Sequence, residues 1–198
     1  FLWQDGVQMV AVCDVDAKHA EKAAKTVDSH YSQRADKGSY KGCAVYDDFR
    51  EVIARKDIDA VCVSTADHWH VLVSLAAVRA GKDVYCEKPI SAFIHEGRVL
   101  SDEVARFGRI FQMGSQQRSD QRFRYACELV RNGRIGQLKH MKVGLPKGRE
   151  TGAYKEMRIP KELNYDLWLG PAPWAPYTEA RCHYNFRFIH DYSGGQML

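Results

Sequence analysis

"GKDVYCEKPIS", residues 81–91, places a glycine, a short apolar run, two opposite charges and a proline in immediate succession. A charged surface turn would account for Glu87 and Lys88 alone. The apolar run before them makes a different case, because "DVYC" (83–86) is one of several similar runs. "VQMVAVCD" (7–14) and "DAVCVST" (59–65) are also continuous apolar stretches that end on polar residues. Strands covered on both faces by helices read this way, without the alternation of a half-exposed strand.

The segments between these runs have helical spacing. Ala17, Ala20, Ala24 and Val27 mark one helix, and 69–80 is apolar nearly all round, as in a helix held between layers. Asp48 with Glu51 three residues later suggests a capped start for another. Phe93, Gly97, Leu100, Val104 and Phe107 define the inner stripe of a fourth, and Ser119 or Asp120 starts a fifth with Phe123, Cys127 and Val130. Gly81, Gly108 and Gly133 stop three of these helices, since glycine closes a helix end without a Cβ penalty. Short strands are expected near 43–46 and at 109–114, and a loop at 29–42. Alternating strands and helices imply βαβ units and a doubly wound, Rossmann-like parallel sheet.

The pattern changes after Gly136. In 138–146, Leu138, Met141, Val143 and Leu145 lie largely opposite His140, Lys142 and Gly144, as in a sheet covered on one side. We expect a dinucleotide-binding domain over 1–114 and the start of an α+β open-sheet domain over 115–198. The chain opens on Phe and closes on "GGQML", and it reads as a fragment. A fragment lacking a first, central strand is expected to be poorly active and unstable by itself.

Composition narrows the class. The 198 residues are 45% hydrophobic and 27% charged, an ordinary balance for a packed core, with net charge +4. Lys139, Lys142, Lys147, Arg149, Lys155, Arg158 and Lys161 are interrupted by Glu150 and Glu156 and read as a solvated face. No basic stripe suits nucleic acid, and no apolar run would span a membrane. Six cysteines without a C-x-x-C pair read as free thiols of a reducing, cytoplasmic setting. Cys13, Cys62 and Cys86 are expected to behave as small hydrophobes within their runs.

The polar residues at the strand ends carry the chemistry. Asp14 ends a strand as the acid of dinucleotide-binding folds does, where it holds the ribose hydroxyls. The glycine loop that precedes such an acid by about 20 residues would lie before residue 1. No arginine follows Asp14 to receive a 2′-phosphate, so NAD is favoured over NADP. In an open parallel sheet, Ser64, Thr65, His68 and His70 share one rim with Glu87 and Lys88 and with Gln116 and Arg118. His68 and His70 lack a third metal ligand at a recognisable spacing, and no metal site is expected. Cys182–His183 shows no mark of an activated thiol. Trp168, Trp174, Tyr177, Tyr184 and Phe186 form either a sugar-stacking platform or packing for the second domain.

The order strand, "STADHWH", apolar helix, "AGKDVYCEKPIS", helix, strand, "GSQQR" resembles the Gfo/Idh/MocA oxidoreductases, with "EKP" its most specific mark. "YDLWLGPAPW" and "HYNFRFIHDYSGGQ" resemble one branch of that family's second domain. The resemblance implies NAD-dependent hydride transfer on a sugar, inositol or related polyol, by a homo-oligomer. It makes Lys88 the catalytic residue that meets the reacting oxygen. Asp14, Ser64, Thr65, His70, Glu87, Lys88, Gln116 and Arg118 become the cofactor side. Lys88, Trp174, His183 and Tyr184 become the substrate side. Ala66 stands where the family commonly has proline. The family's later Asp and His, the expected proton partners, would follow residue 198. Two other activities stay open: glycosidic cleavage through transient sugar oxidation, and non-catalytic sugar or nucleotide sensing. Relatives of this branch can carry twin-arginine leaders, so a periplasmic location is the alternative to the cytoplasm.

Overall fold

The computed structural model describes residues 1–33, 40–145, 152 and 154–195. Its first half alternates strands and helices in chain order: β1 (Ala11–Cys13), α1 (Ala17–Ser32), β2 (Ala44–Tyr46), α2 (Phe49–Ala54), β3 (Ala60–Val63), α3 (Asp67–Arg79), β4 (Asp83–Glu87), α4 (Ile94–Phe107) and β5 (Phe111–Gly114). Every ladder is parallel, β1 with β2 and β3 with β4 with β5. These form two sheets, and no ladder joins β1 to β3 among the described residues.

Small residues explain how α1 settles on its sheet. Ala20, Ala24, Val27 and Tyr31 are buried along one face, and alanine lets the helix axis approach the strands. Asp16 caps the helix by accepting the Lys18 and His19 backbone N–H groups. The helix runs to Ser32, beyond the expected loop boundary at 29, because the buried stripe continues through Tyr31. The Tyr31 hydroxyl accepts from Met9 N–H at 3.0 Å and donates to the Val7 carbonyl, which ties the helix end to the chain start. The rest of that expected loop, 34–39, lies outside the described residues.

Helices α3 and α4 cover one face of the three-stranded sheet. Val63, Val84 and Cys86 point into a core with Ile53, Val73, Ala77 and Val78. The opposite face carries Cys62 and Gln112, both exposed, with half-buried Tyr85 between them. The expectation of strands buried on both faces therefore holds on one face only. Of the three cysteines read as small hydrophobes, Cys86 is buried, while Cys13 and Cys62 are exposed. The α4 stripe is similarly narrower than expected. Leu100 is buried and Val104 packs on the core, but Phe93 precedes the helix and Phe107 stands at its exposed end.

The 3-10 turn Gln116–Ser119 leads into α5 (Gln121–Arg131), capped by Asp120, and no residue of α5 is buried. The described part of the expected strand at 138–146 forms no ladder, and Leu138, Met141, Val143 and Leu145 are all exposed. Alternation specifies which face a strand would bury, but a strand also needs a neighbour for its backbone groups, and none lies beside this segment among the described residues. Pro146, Lys147, Arg149 and Glu150 are outside the described residues; Lys139, Lys142, Lys155, Arg158 and Lys161 are exposed.

The later segment folds back on the first half. It contains α6 (Tyr165–Leu169) and a 3-10 helix at His183–Phe188. Leu163, Tyr165, Leu169, Tyr177, Cys182, Phe186 and Tyr192 build a second core, against which Val15 and Ala66 pack. Val15 follows β1 and Ala66 follows β3, so this strap packs against the segments that leave the carboxyl ends of these two strands. Backbone bonds fix it there: Ala17 N–H to the Glu162 carbonyl at 2.9 Å, and Asn164 N–H to the Val15 carbonyl at 2.8 Å. No helix is long and apolar enough to cross a membrane among the described residues.

Candidate active site

The parallel register brings three of the polar strand ends to one rim. Val63 pairs with Cys86, and Glu87 with Gly114, so the loops after β3, β4 and β5 leave the sheet side by side. Ser64 and Thr65 are exposed at the first of these. Glu87 and Lys88 are half-buried at the second, and the Lys88–Pro89 peptide is cis. Gln116 and Arg118 are exposed on the 3-10 turn of the third. Gly114 lies close against two side-chain ends here. A Cβ at this position would stand 2.8 Å from Glu87 Oε2 and 2.9 Å from the Tyr85 hydroxyl.

His70 joins two of these loops from beneath. It is 1% exposed, with Nδ1 2.6 Å from the Pro89 carbonyl and Nε2 3.1 Å from the Thr65 carbonyl. Both ring nitrogens thus face backbone oxygens. The imidazole braces the Lys88–Pro89 turn against the Ser64–Thr65 loop.

Asp14 stands at the carboxyl end of β1, on the other sheet. Its Oδ1 accepts the Asp16 N–H at 2.9 Å, and its Oδ2 lies 3.8 Å from His19 Nδ1. Burial pushes its carboxyl above the ordinary range, while the Asp16 N–H and the His19 charge draw it back. The strap bridges the gap between Asp14 and the rim, because Val15 and Ala66 share its core.

Buried polar contacts lock the strap to α3. The Ser193 hydroxyl donates to Asp67 Oδ2 at 2.6 Å, with both residues buried. Hydrogen bonds to a charged group contribute about 1.5–3 kcal/mol. Ser193→Ala is therefore expected to destabilise the protein by about 2 kcal/mol, read as a lowered urea midpoint at unchanged m-value. His68 Nε2 and Trp69 Nε1 both donate to the Trp168 carbonyl at 3.1 Å. His68 Nδ1 is buried without a hydrogen-bond partner among the described residues.

Burial pulls the His68 pKa below its ordinary 6.5, and the Trp168 carbonyl opposes that shift. The unfolded chain then takes up a proton at a higher pH than the native one. The stabilisation is complete above about 6.5 and declines as pH falls from there toward the native pKa. Urea midpoints measured between about pH 7.5 and pH 5.5 should fall, with His68→Gln reducing the slope.

The aromatic residues divide. Tyr177 and Phe186 are buried in the second core, and Trp168 packs against it. Trp174 is 78% exposed and Tyr184 is 54% exposed, with the Arg187 guanidinium 4.7 Å from the Tyr184 ring. His183 packs edge-on against His19, ring centroids 5.6 Å apart, which puts it near Asp14. Burial pushes the Cys182 thiol up to about 12, so it is held protonated and unreactive. Asp67, Ser193 and the His19–His183 contact carry no mark in the sequence. Residues 67 and 193, or 19 and 183, share no local pattern; only the folded strap brings them together.

Parallel strands, polar groups gathered at their carboxyl ends and an acid closing β1 define a dinucleotide-binding protein of the Rossmann class. Residues 2–115 match the family described as "Oxidoreductase family, NAD-binding Rossmann fold", the Gfo/Idh/MocA family, and residues 145–198 match its "C-terminal alpha/beta domain". The chain belongs to this oxidoreductase family. An inositol 2-dehydrogenase of Pseudomonas savastanoi pv. phaseolicola is 33% identical over 133 residues, 67% of this chain and 36% of that protein. Another, from Pseudomonas syringae pv. syringae, is 32% identical over 170 residues, 83% of this chain and 47% of that protein. The solved scyllo-inositol dehydrogenase of Lactobacillus casei with bound NAD(H) and scyllo-inositol is 28% identical, with TM-score 0.55 over 67% of this chain and 36% of that one. The chain thus spans roughly a third to a half of the length of these relatives.

Proposed function

We propose that the full protein is an NAD-dependent dehydrogenase of a polyol, with an inositol as the first substrate to test. The observation that carries this reading is the position of Lys88, on the turn after β4, braced by His70 against the loop after β3. Likeness to the inositol dehydrogenases named above supports the substrate class. The residues present fit NAD. Asp14 keeps one carboxylate oxygen clear of backbone donors for ribose hydroxyls, Ser64 and Thr65 offer exposed hydroxyls, and the Glu87 carboxylate lies against Gly114 on the same rim. A carboxylate at the end of β1 disfavours a 2′-phosphate, so NAD is preferred over NADP. NAD, when bound, supplies the hydride acceptor.

Within this reading the chain's own residues do three things. Asp14 holds the ribose end by accepting hydroxyl hydrogen bonds. His70 positions the Lys88–Pro89 turn through its two carbonyl contacts and does not touch the reacting atoms. The Lys88 ammonium stabilises the alkoxide that develops as the carbinol is oxidised, and it fixes that oxygen in place. A free lysine titrates near 10.4, which suits donation to an oxyanion better than proton removal. Gln116 and Arg118 flank the cofactor from the loop after β5. Exposed Trp174 and Tyr184 are the second-domain residues we assign to the polyol, and the full protein is read as a homo-oligomer.

Incubating the full-length protein with NAD and myo- or scyllo-inositol tests this reading. Polyol-dependent NADH in stoichiometric amount is the expected result. Cleavage of an aryl glycoside without net NADH would replace it with redox-assisted glycosidic cleavage. NAD binding with no turnover of either substrate would leave a sensor.

A further inference from the structure

Asp16, His19 and His183 each present one ligand atom, and these atoms all lie within 4.8 Å of one another. We propose that this cluster binds a divalent first-row transition ion such as Zn2+, coupling the N-terminus of α1 to the 3-10 helix at His183–Phe188. Two imidazoles and one carboxylate suit such ions, whereas Mg2+ and Ca2+ prefer an all-oxygen shell. Ligand atoms about 2.0–2.1 Å from a tetrahedral zinc would be about 3.3 Å apart, so the cluster must close slightly. The rings that must move are able to: His19 and His183 are exposed, while Asp16 is buried and anchored as the cap of α1.

The surrounding charge favours a cation. Asp14 Oδ2 stands 3.8 Å from His19 Nδ1 and adds a second carboxylate beside the three ligands. Lys18, the nearby cation on α1, is ion-paired with Glu162 of the strap. Asp16 spends Oδ1 on the two cap bonds, which leaves Oδ2 for an ion. The ligands come from positions 164 residues apart, counting from 19 to 183, so binding would hold the strap down on the end of β1. A further consequence rests on the reading of Asp14 as the cofactor acid: an ion beside it would compete with the ribose of NAD.

The test titrates Co2+ and Zn2+ into the full-length protein, with the cobalt ligand-field spectrum, calorimetry and thermal unfolding as readouts. His19→Ala, His183→Asn and Asp16→Asn are compared with His140→Ala, an exposed histidine outside the cluster. Asparagine tolerates the left-handed backbone of His183 (φ 55°), and at position 16 it retains the helix cap. One equivalent of Co2+ with a structured visible spectrum is expected. Each cluster substitution should weaken binding at least about tenfold and remove the zinc-dependent rise in melting temperature, with His140→Ala unchanged. Absence of stoichiometric binding, or binding that survives both histidine substitutions, would overturn the proposal. NAD binding measured without metal reports on the cofactor reading separately, so the two can fail independently.

Discussion

Lys88→Met in the full-length protein is expected to lower kcat for polyol oxidation by about 10²–10³-fold, the usual cost of losing one preorganised donor to a developing oxyanion. Methionine keeps much of the lysine stem's length and removes the charge, so the turn after β4 should survive. NAD affinity should change far less than kcat, because the effect falls on the oxygen that acquires charge during the reaction. His70→Gln supplies the contrast. It disturbs the carbonyl contacts to Thr65 and Pro89 and should change kcat and KM together, as expected when a positioning residue is disturbed and Lys88 keeps its ammonium. If Lys88→Met and wild type turned over equally, the role given to the lysine would be wrong.

Gly170→Ala should be the most damaging small substitution in the strap. Gly170 has φ 51° and ψ −119°, a conformation essentially reserved for glycine. A Cβ built there would stand 2.0 Å from Trp69 Cζ2 and 2.3 Å from Cε2. The indole has little freedom to retreat, since its Nε1 is bound to the Trp168 carbonyl and its ring packs on Phe49, centroids 5.5 Å apart. Backbone strain and overpacking each cost about 1–3 kcal/mol, so a loss on the order of 3–5 kcal/mol is expected. The urea midpoint reads the loss. Tryptophan fluorescence and proteolysis within 163–193 should report the strap detaching at lower denaturant than the β3–β4–β5 sheet. A change of a few tenths of a kcal/mol would mean that the strap does not pack as described.

The legible part of the fold was the part written locally. Apolar runs ending at Asp14, Thr65 and Glu87 correspond to parallel strands, and glycine or acidic caps bound most helices near their expected ends. Those signals depend on residues within one or two turns of each other. The runs could not reveal which faces would be covered. Cys62 and Cys86 look alike in sequence, yet one is exposed and the other is in the core, because α3 and α4 pack on the same side. Alternation at 138–145 likewise named a face without supplying a pairing partner.

The site divides in the same way. Lys88, Glu87, Ser64 and Thr65 could be placed because strand ends of a parallel sheet share a rim. His70 is buried beneath that rim, and its contacts to the Thr65 and Pro89 carbonyls leave no mark in its sequence position. Asp67 with Ser193, and His19 with His183, depend on a strap that crosses the sheet ends after more than a hundred intervening residues. Long-range packing of that kind leaves no periodic mark in either partner's neighbourhood.

Isotopic labelling tests the proposed hydride transfer from a polyol carbon to NAD directly. Full-length protein would be given inositol deuterated at the oxidised carbon together with NAD, and the reduced cofactor analysed by mass spectrometry. One deuterium per NADH is expected, with labelled NADH accumulating about 10²–10³-fold more slowly in Lys88→Met. NAD that stays oxidised and unlabelled while the full-length protein processes neither inositol nor a related polyol would contradict the proposed transfer.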